Sequence, residues 1–368
     1  MDSLTQATLG AAVGHLCWNK KLGNKALYLG AAGGTIPDLD ILLYPFLDDI
    51  QRLYWHRGES HSIWFILLGS MLTGWLLNKY FKEENLPFSS AVFGALLIYA
   101  THILIDYFTV YGTQLLAPLS RTGFALGNFF IIDPLFTLPL LLGCGVAAIS
   151  KSSLGARANV AGLTLATCYM LWSFSAQAIA DHTFRSALSK ENTNITRQRT
   201  TAGSFTTFLW RHLAETEDGF LLAYWSIFDS PTKAIQFYHI PRRAELIEKI
   251  SDSRTFSVVE WFSQGWWFAV KEGDNAVKVV DLRFNEIPSA YGQSHQEWNW
   301  PFAWGFDLQR AQENSLQSVL PDLAAPLHTL GLLADRIRGG QNWYPASTGI
   351  TISVITTPKS IDTPYAKE

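Results

Sequence analysis

Long apolar stretches fill the first half of the chain and give way to shorter ones in the second half. Four of them reach the roughly 20 residues that an α-helix needs to cross about 30 Å of hydrocarbon. They lie at 62–81, 88–108, 129–149 and 158–180, and two weaker stretches rich in small residues precede them at 4–18 and 26–46. The pattern therefore predicts a membrane α-helical bundle of about six segments, four of them clear.

After about residue 185 the long apolar runs are replaced by short ones. Segments rich in aromatic and β-branched residues alternate with Gly, Asn and Asp, which is typical of antiparallel strands joined by turns. These segments lie at 206–213, 220–228, 256–262, 266–271 and 277–284, whereas 240–252 and 316–338 fit short helices. We therefore predict a transmembrane domain at 1–184, a smaller β-rich α+β soluble domain at 185–345 and a loose tail at 346–368.

Composition agrees with this division and excludes several classes of protein. Charged residues make up 16 % of the chain, against roughly 25 % in ordinary soluble domains, and most of them follow residue 180. The net charge of −3 argues against a nucleic-acid partner, which normally requires a basic face. The three cysteines have no paired spacing, so neither a disulfide framework nor a Cys-type zinc site is expected. The N-terminus has no basic leader, so we expect no cleaved signal peptide.

The short connections between the apolar segments predict an orientation. If all six segments cross, one side receives seven basic residues and the other receives three, and the richer side is expected to be cytoplasmic. The seven are Lys20, Lys21, Lys25, Lys79, Lys82, Lys151 and Arg157, and the three are Arg52, Arg57 and Arg121. The β-rich domain would then lie outside the cytoplasm.

Histidine and aspartate form three clusters in the membrane domain. The clusters contain Asp38 and Asp40, then His56 and His61, and finally His102 and Asp106. The last two residues are four apart, so on a helix they share one face. Imidazole and carboxylate without a nearby thiolate suit zinc, iron or manganese. Taken alone, the two aspartates also fit a turn, and His102 with Asp106 also fits a hydrogen-bonded contact between helices.

The predicted topology brings these clusters to one end of the bundle. One long segment begins just after His61, the next ends just after Asp106, and Asp133 begins the third on the same side. We therefore predict a centre whose metal ligands are Asp38, Asp40, His56, His61, His102 and Asp106. Six candidate ligands are enough for more than one divalent ion, with zinc favoured.

Catalytic roles follow from the same arrangement. Bound metal would lower the pKa of a coordinated water to near neutrality. Arg57 would neutralise charge on a phosphate-like transition state, since its planar fork matches two oxygens, although it also suits an anchor at the membrane edge. Asp133 would be a further ligand or would orient one of the histidines. The pair Asp181 and His182 emerges on the same side and is an additional candidate.

Several motifs together resemble one protein family. Met1-Asp2-Ser3-Leu4-Thr5-Gln6-Ala7, P-D-x-D at 37–40, H-R-x-x-S-H-S at 56–62 and H-x-x-x-D at 102–106 resemble the YdjM-like family of membrane-bound metal-dependent hydrolases. The resemblance covers about residues 1–150, and the later strands, including Asp281-Leu282-Arg283-Phe284, resemble the extension of its longer members. It implies a hydrolase of the bacterial inner membrane and no particular substrate. Many members have His where this chain has Gln6, which implies a weak or outer contact there.

A more remote resemblance bears on the substrate. The H-x-x-x-D helix and clustered ligands are similar to the zinc-dependent phospholipase C and single-strand nuclease superfamily, which implies phosphoester hydrolysis by analogy of fold. We therefore expect a hydrolase acting on a phosphoester or lipid-linked substrate at the outer face, with membrane lipid or a small molecule as partner. An ion or proton transporter is an alternative, although the polar residues cluster at one end. A scaffold with a structural metal is another. The sequence carries no signal of oligomeric state.

Overall fold

The computed structural model describes residues 1–150, 152–190, 193–288, 298–309, 317–319, 327–340 and 354–357. The chain forms two compact units, Met1–Phe174 and Ser175–Glu368. The division falls inside one long helix, ten residues before the boundary that the sequence predicts. Each unit is described by itself below.

The first unit is helical. Its helices are α1 (Ser3–Leu22), α2 (Lys25–Thr35), α3 (Asp49–Trp55), α4 (Ile63–Tyr80), α5 (Phe88–Tyr107), α6 (Pro134–Ile149) and α7 (Ser153–Leu188), and α7 continues into the second unit. Two stretches of 3₁₀ helix interrupt them: the 3₁₀ segment (Pro37–Phe46) after α2, and the 3₁₀ turn (Glu59–His61) before α4.

Among the described residues, two helices, α5 and α7, are long and apolar enough to cross a membrane. The number rises to four if two bent pairs each count as one span: α2 with the 3₁₀ segment, bent by 48°, and Asp49–His61 with α4, bent by 56°. Helix α6 is apolar but shorter. A membrane helical part is therefore present as predicted, and the finer count of six crossings stays a prediction.

Helix α1 lies inside the helical unit and packs closely against α2. Glycines allow this approach: a Cβ added at Gly10 would lie 2.4 Å from the carbonyl oxygen of Gly30, and one at Gly34 would lie 2.5 Å from the carbonyl oxygen of Gln6. Close contact through small residues is typical of helices packed within a membrane. The contact brings the side chain of Gln6 and the end of α2 towards α5.

The second unit contains two antiparallel sheets, which confirms the predicted β-rich region. The strands are β1 (Arg197–Ala202), β2 (Leu209–Glu215), β3 (Gly219–Ser226), β4 (Ile235–Pro241), β5 (Trp267–Glu272), β6 (Ala276–Asp281), β7 (Ile287–Pro288), β8 (Trp298–Asn299), β9 (Ala303–Asp307), β10 (Gln317–Val319) and β11 (Val354–Thr357). One sheet has the order β1-β2-β3-β4-β11 and the other β10-β9-β6-β5, while β7 and β8 pair separately. Two helices, α8 (Arg254–Ser263) and α9 (Leu327–Ile337), accompany the sheets.

Both faces of the five-stranded sheet are covered, because alternate residues of its strands join two different cores. One core joins Leu213 and Leu222 of this sheet to Phe268 and Val280 of the other sheet. The second core joins the opposite face of the sheet to the end of α7 and includes Ala180, Phe184, Trp210, Ala223 and Phe237.

Three segments differ from the sequence-based expectation. The strand predicted at 256–262 is wrong: it is helix α8, whose Ser253 caps the first turn and whose Phe256, Val259 and Phe262 share one buried face. Within 240–252 the structure has a 3₁₀ turn, Ala244–Ile247, and within 316–338 it has β10 and α9. Strand β11 pairs with β4 inside the predicted tail, and the rest of that tail lies outside the described residues.

Candidate metal centre

Four of the predicted ligands converge on one point in the helical unit. They are Asp38 of the 3₁₀ segment, His61 of the 3₁₀ turn, and His102 and Asp106 of α5, and one donor atom from each lies within 4.8 Å of the others. The Nε2 atom of His61 is 3.3 Å from Asp38 Oδ1 and 3.2 Å from Asp106 Oδ2. The Nε2 atom of His102 is 3.3 Å from that of His61, 3.5 Å from Asp38 Oδ1 and 3.8 Å from Asp106 Oδ2.

These separations fit a bound divalent cation. Donors placed tetrahedrally at about 2.0–2.1 Å from zinc would lie about 3.3–3.4 Å from one another. Asp106 Oδ2 is buried and has no hydrogen-bond donor among the residues that the structure describes. A buried carboxylate oxygen without a donor is costly, and a cation bound at this point would satisfy it. Two imidazoles and two carboxylates suit zinc, iron or manganese.

Hydrogen bonds outside the cluster turn both imidazoles towards it. His102 Nδ1 lies 2.7 Å from the carbonyl oxygen of Gly34, which can only accept, so this nitrogen carries the proton and Nε2 presents its lone pair. His61 Nδ1 lies 2.9 Å from the hydroxyl of Ser60, which donates in turn to Asp40 at 3.4 Å. Two Nε2 lone pairs therefore face the same point, as in metal centres whose ligands are oriented by outer partners.

Positive charge and an amide hold the other oxygen of Asp106. Oδ1 forms an ion pair with Arg57 Nη2 at 3.1 Å, accepts a hydrogen bond from Gln6 Nε2 at 3.0 Å, and contacts the α-amino group of Met1. Gln6 also donates to the carbonyl oxygen of His102 at 3.3 Å. Gln6 therefore contacts Asp106 from outside the donor cluster and orients this carboxylate.

Arg57 is buried in a conformation that its neighbours stabilise. Its φ of 55° is left-handed, which costs a non-glycine residue about 1–3 kcal/mol and persists only where the surroundings hold it. Its backbone N–H donates to Asp40 at 2.9 Å and its guanidinium donates to Thr109 at 3.0 Å. The guanidinium also lies 4.9 Å from the ring centre of Tyr111. The guanidinium thus contacts Asp106, and its predicted role in catalysis stays a prediction.

Asp40 and His56 lie beside the four donors and are paired with each other. His56 Nδ1 is 3.2 Å from both carboxylate oxygens of Asp40, and the ring centres of His56 and His61 are 6.3 Å apart. The nearer oxygen of Asp40 is 4.0 Å from His61 Nδ1, the nitrogen that faces away from the cluster. The structure does not bring these two residues into the donor cluster, so their assignment as ligands stays a prediction.

Asp133 is placed at the start of α6, where it caps the helix. Its Oδ1 accepts from the backbone N–H groups of Leu135 and Phe136, and its Oδ2 accepts from the hydroxyl of Tyr169 at 3.0 Å. This arrangement stabilises the helix end and does not place Asp133 among the four donors. Asp181, a further candidate, pairs with Arg185 at 2.5 Å in the second unit.

The four donors differ in their access to the surroundings. The side chains of His61, His102 and Asp106 are at most 1 % exposed, whereas that of Asp38 is 20 % exposed. Asp38 is therefore the one of these four donors that is partly accessible from the surroundings. A catalytic metal site also needs an open coordination position, and the accessible donor marks where an incoming molecule would first meet the cluster.

Sequence reasoning missed the residues that orient the donors. Ser60 lies within the H-R-x-x-S-H-S motif, so its spacing to His61 could have identified it. The carbonyl group of Gly34 and the hydroxyl of Thr109 carry no sequence signal of this kind. Their contribution depends on how α2 and the end of α5 are placed.

Comparison with known proteins places the helical unit in a family. Residues 1–180 match the family described as YdjM inner membrane protein. The chain is 27 % identical over 141 residues to the uncharacterized protein YfhP of Bacillus subtilis (strain 168), covering 36 % of this chain and 42 % of YfhP. It is 28 % identical over 150 residues to the uncharacterized protein YvsG of the same strain, covering 39 % of this chain and 76 % of YvsG. No solved structure matches significantly.

Proposed function

Because residues 1–180 belong to the YdjM inner membrane protein family, we propose that this chain is a membrane-bound metal-dependent hydrolase. One observation carries the proposal: Asp38, His61, His102 and Asp106 converge with separations that suit a divalent transition metal. Zinc is the favoured ion, since two imidazoles and two carboxylates at these distances match its tetrahedral preference. Asp38, whose side chain is 20 % exposed, is the donor that a substrate would meet first.

The chain's own residues would hold and orient the reacting groups. A divalent ion held by the four donors would supply a Lewis acid and an activated water. Arg57 would keep Asp106 ionised and in place, and would contribute positive charge towards an anionic transition state. Asp40 would fix the loop through the Arg57 backbone and Ser60. His56 would serve as a further ligand for a second ion or as a polar neighbour of the substrate.

We propose that the substrate is a phosphoester or a lipid-linked compound, reached at the outer face of the membrane. Phosphoester oxygens suit a divalent cation flanked by an arginine. The outer face follows from the charge of the connections if the helical unit crosses six times, and it would also place the β-rich domain outside the cytoplasm.

A second candidate is a membrane scaffold in which the metal is structural. One feature favours it: four protein donors are enough to close a tetrahedral site, as structural zinc requires. Three of those donors are buried. On this view the 20 % exposure of Asp38 would have no catalytic meaning.

The proposal is tested by metal content and turnover on the full chain. The chain is purified in detergent without chelators, and bound metals are measured by mass spectrometry. We compare wild type with His61→Ala/His102→Ala, and use His182→Ala/His239→Ala as a control that also removes two histidines but no donor. We expect about one equivalent of transition metal in wild type and the control, and a loss in the donor variant, because a broken ligand set loses affinity.

Turnover then separates the two candidates. The metal-loaded protein is assayed with three substrates: bis(p-nitrophenyl) phosphate, a fluorogenic phospholipid and a chromogenic amide. Metal-dependent hydrolysis that the donor variant lacks would support a hydrolase. Metal retained without any turnover would support the scaffold. A wild type free of metal, with the donor variant equally well folded, would refute the site itself.

A further inference from the structure

The 3₁₀ segment carries two chemically different kinds of side chain. Asp38 on this segment contacts His61 of the donor cluster, and Asp40 contacts His56 beside it. Five large apolar side chains on the same segment are between 47 % and 83 % exposed. We call these five the apolar rim: Leu39, Ile41, Leu42, Leu43 and Phe46.

The apolar rim borders the approach to the metal donors. Asp38 is the exposed donor, and Leu39 follows it directly in the chain. The remaining rim residues continue along the same ten-residue segment. Exposed apolar side chains therefore flank the partly exposed carboxylate of Asp38 in the same segment.

The 3₁₀ segment also has the properties of a segment at membrane depth. Together with α2 it is long and apolar enough to form one membrane span, with a 48° bend between the two parts. The segment is helical along its length, and the backbone N–H groups of Leu39 and Leu47 donate to carbonyl groups three residues earlier. Such internal pairing is what hydrocarbon requires of a backbone. Exposed leucines at this level would contact acyl chains rather than water.

We propose that the apolar rim is a lateral opening to the bilayer, through which a phospholipid places its phosphoester headgroup beside Asp38 while its acyl chain stays against the rim. The opening is inferred from the exposure and position of the rim residues, whereas the reaction rests on the proposed hydrolase function. The substrate class follows because a water-soluble phosphoester gains nothing from neighbouring apolar side chains, whereas an amphiphile can contact both the apolar side chains and the carboxylate of the segment. Hydrolysis would place the hydroxyl of water on phosphorus and its proton on the departing alcohol oxygen.

The opening is tested first without any reaction. Full-length protein with its three cysteines replaced by alanine is placed in nanodiscs of palmitoyl-oleoyl phosphatidylethanolamine and phosphatidylglycerol, and a nitroxide is attached at Leu42→Cys. Collision rates with oxygen and with a water-soluble nickel chelate are compared with two references. Leu72→Cys lies on the exposed apolar face of α4, and Glu217→Cys is an exposed polar position of the second unit.

Either result of the collision measurement is decisive for the opening. We expect the label at position 42 to match the one at Leu72, with oxygen collisions dominant, because oxygen partitions into hydrocarbon and the chelate does not. A label at position 42 that matches Glu217, with chelate collisions dominant, would overturn the proposal. The measurement does not depend on turnover.

Turnover identifies the substrate class. Leu42→Gln/Leu43→Gln is assayed with a fluorogenic phospholipid in the same nanodiscs and with bis(p-nitrophenyl) phosphate in water; Leu72→Gln is the matched control. We expect lipid turnover to fall about tenfold in the rim variant, since polar amides disfavour acyl contact, with soluble turnover within about twofold. Equal losses on both compounds, or no loss on the lipid, would overturn the assignment. If wild type hydrolyses neither compound, the hydrolase proposal fails and the collision rates still decide the opening.

Discussion

The substitution Gly34→Ala tests whether helix packing controls the metal centre from a distance. Gly34 is not a donor, but its carbonyl oxygen accepts the Nδ1 proton of His102. A Cβ at this position would lie 2.5 Å from the carbonyl oxygen of Gln6 and 3.0 Å from the Cα of Gly10. Neither neighbour is the end of a flexible side chain, so α1 and α2 would have to move apart.

The size of the effect follows from these distances. Ordinary contact between carbon and oxygen begins at about 3.4 Å, so α2 would be displaced by up to about 1 Å. Overpacking of this kind lowers the free energy of unfolding by about 1–3 kcal/mol. The same displacement lengthens the 2.7 Å hydrogen bond to His102 and disturbs Gln6, which contacts Asp106. Loss of one outer partner of a metal ligand typically lowers metal affinity about 10–100-fold. We expect both effects in the one variant.

The assay is a zinc titration of metal-free protein in detergent, in competition with a fluorescent chelator, followed by thermal unfolding of the zinc-loaded protein. Gly145→Ala is the matched control, because a Cβ on that residue of α6 would meet nothing within 4 Å. Gly33→Ala is a second control next to the site, where the new methyl would meet only the side chain of Ile98, at 3.2 Å.

One result would refute the reasoning. If Gly34→Ala binds zinc and unfolds as Gly145→Ala does, the close contact of α1 and α2 does not position His102. If stability falls but zinc affinity does not, packing and metal binding are independent, and the hydrogen bond to the Gly34 carbonyl is not required to orient the imidazole.

Three further predictions concern outer partners and the second unit. Ser60→Ala removes the hydroxyl beside His61 Nδ1, and we expect zinc affinity to fall about tenfold in the chelator titration. Burial lowers the pKa of His212 to about 3, so the proton binds preferentially to the unfolded chain as the pH falls. The free energy of unfolding should therefore be highest above about pH 6.5 and should be about 2 kcal/mol lower at pH 5, measured by unfolding at each pH. Arg211→Leu leaves Glu286 buried without its ion-pair partner and should cost about 3–5 kcal/mol, whereas Arg211→Leu/Glu286→Leu should recover most of the melting temperature.

Each of these expectations has a result that contradicts it. Unchanged zinc affinity in Ser60→Ala would mean that the serine does not orient His61. A pH dependence that persists in His212→Asn would assign the effect to another group. A double variant no more stable than Arg211→Leu alone would show that the hydrogen bond from Arg211 to the carbonyl of Leu282, at 2.8 Å, matters more than the ion pair.

Much of the architecture and part of the site could be predicted from the sequence because they depend on local spacing. Apolar length alone indicates α5 and α7, since a helix that meets lipid must be apolar over its whole length. The four-residue separation of His102 and Asp106 places both on one helical face, and the structure keeps their donor atoms 3.8 Å apart. Runs of aromatic and β-branched residues between turn residues likewise indicate β2, β3, β5 and β6, whereas β1, β4 and β9 lie outside the predicted strand segments.

Tertiary structure decided which of the remaining candidates reach the centre. Asp38 and Asp40 are two residues apart in a 3₁₀ segment, where each residue turns by about 120°, so one of them enters the cluster while the other contacts His56 and Arg57. Arg57, with its left-handed backbone, follows His56 in the chain, and only His61 of these two histidines belongs to the donor cluster. Neither outcome follows from residue type, because both members of each pair offer the same chemistry.

Tertiary packing also explains why the apolar stretch that forms α1 is weak. A helix surrounded by other helices needs small residues for close approach and gains nothing from large lipid-facing side chains, so Gly10 and Gly14 lower its apparent hydrophobicity while they allow its contact with α2. Local composition and spacing thus indicated the long apolar helices and the segments rich in potential ligands, although not the helix α8. Only the packing of those segments decided which four donors meet, because a metal centre requires distances between residues far apart in the chain.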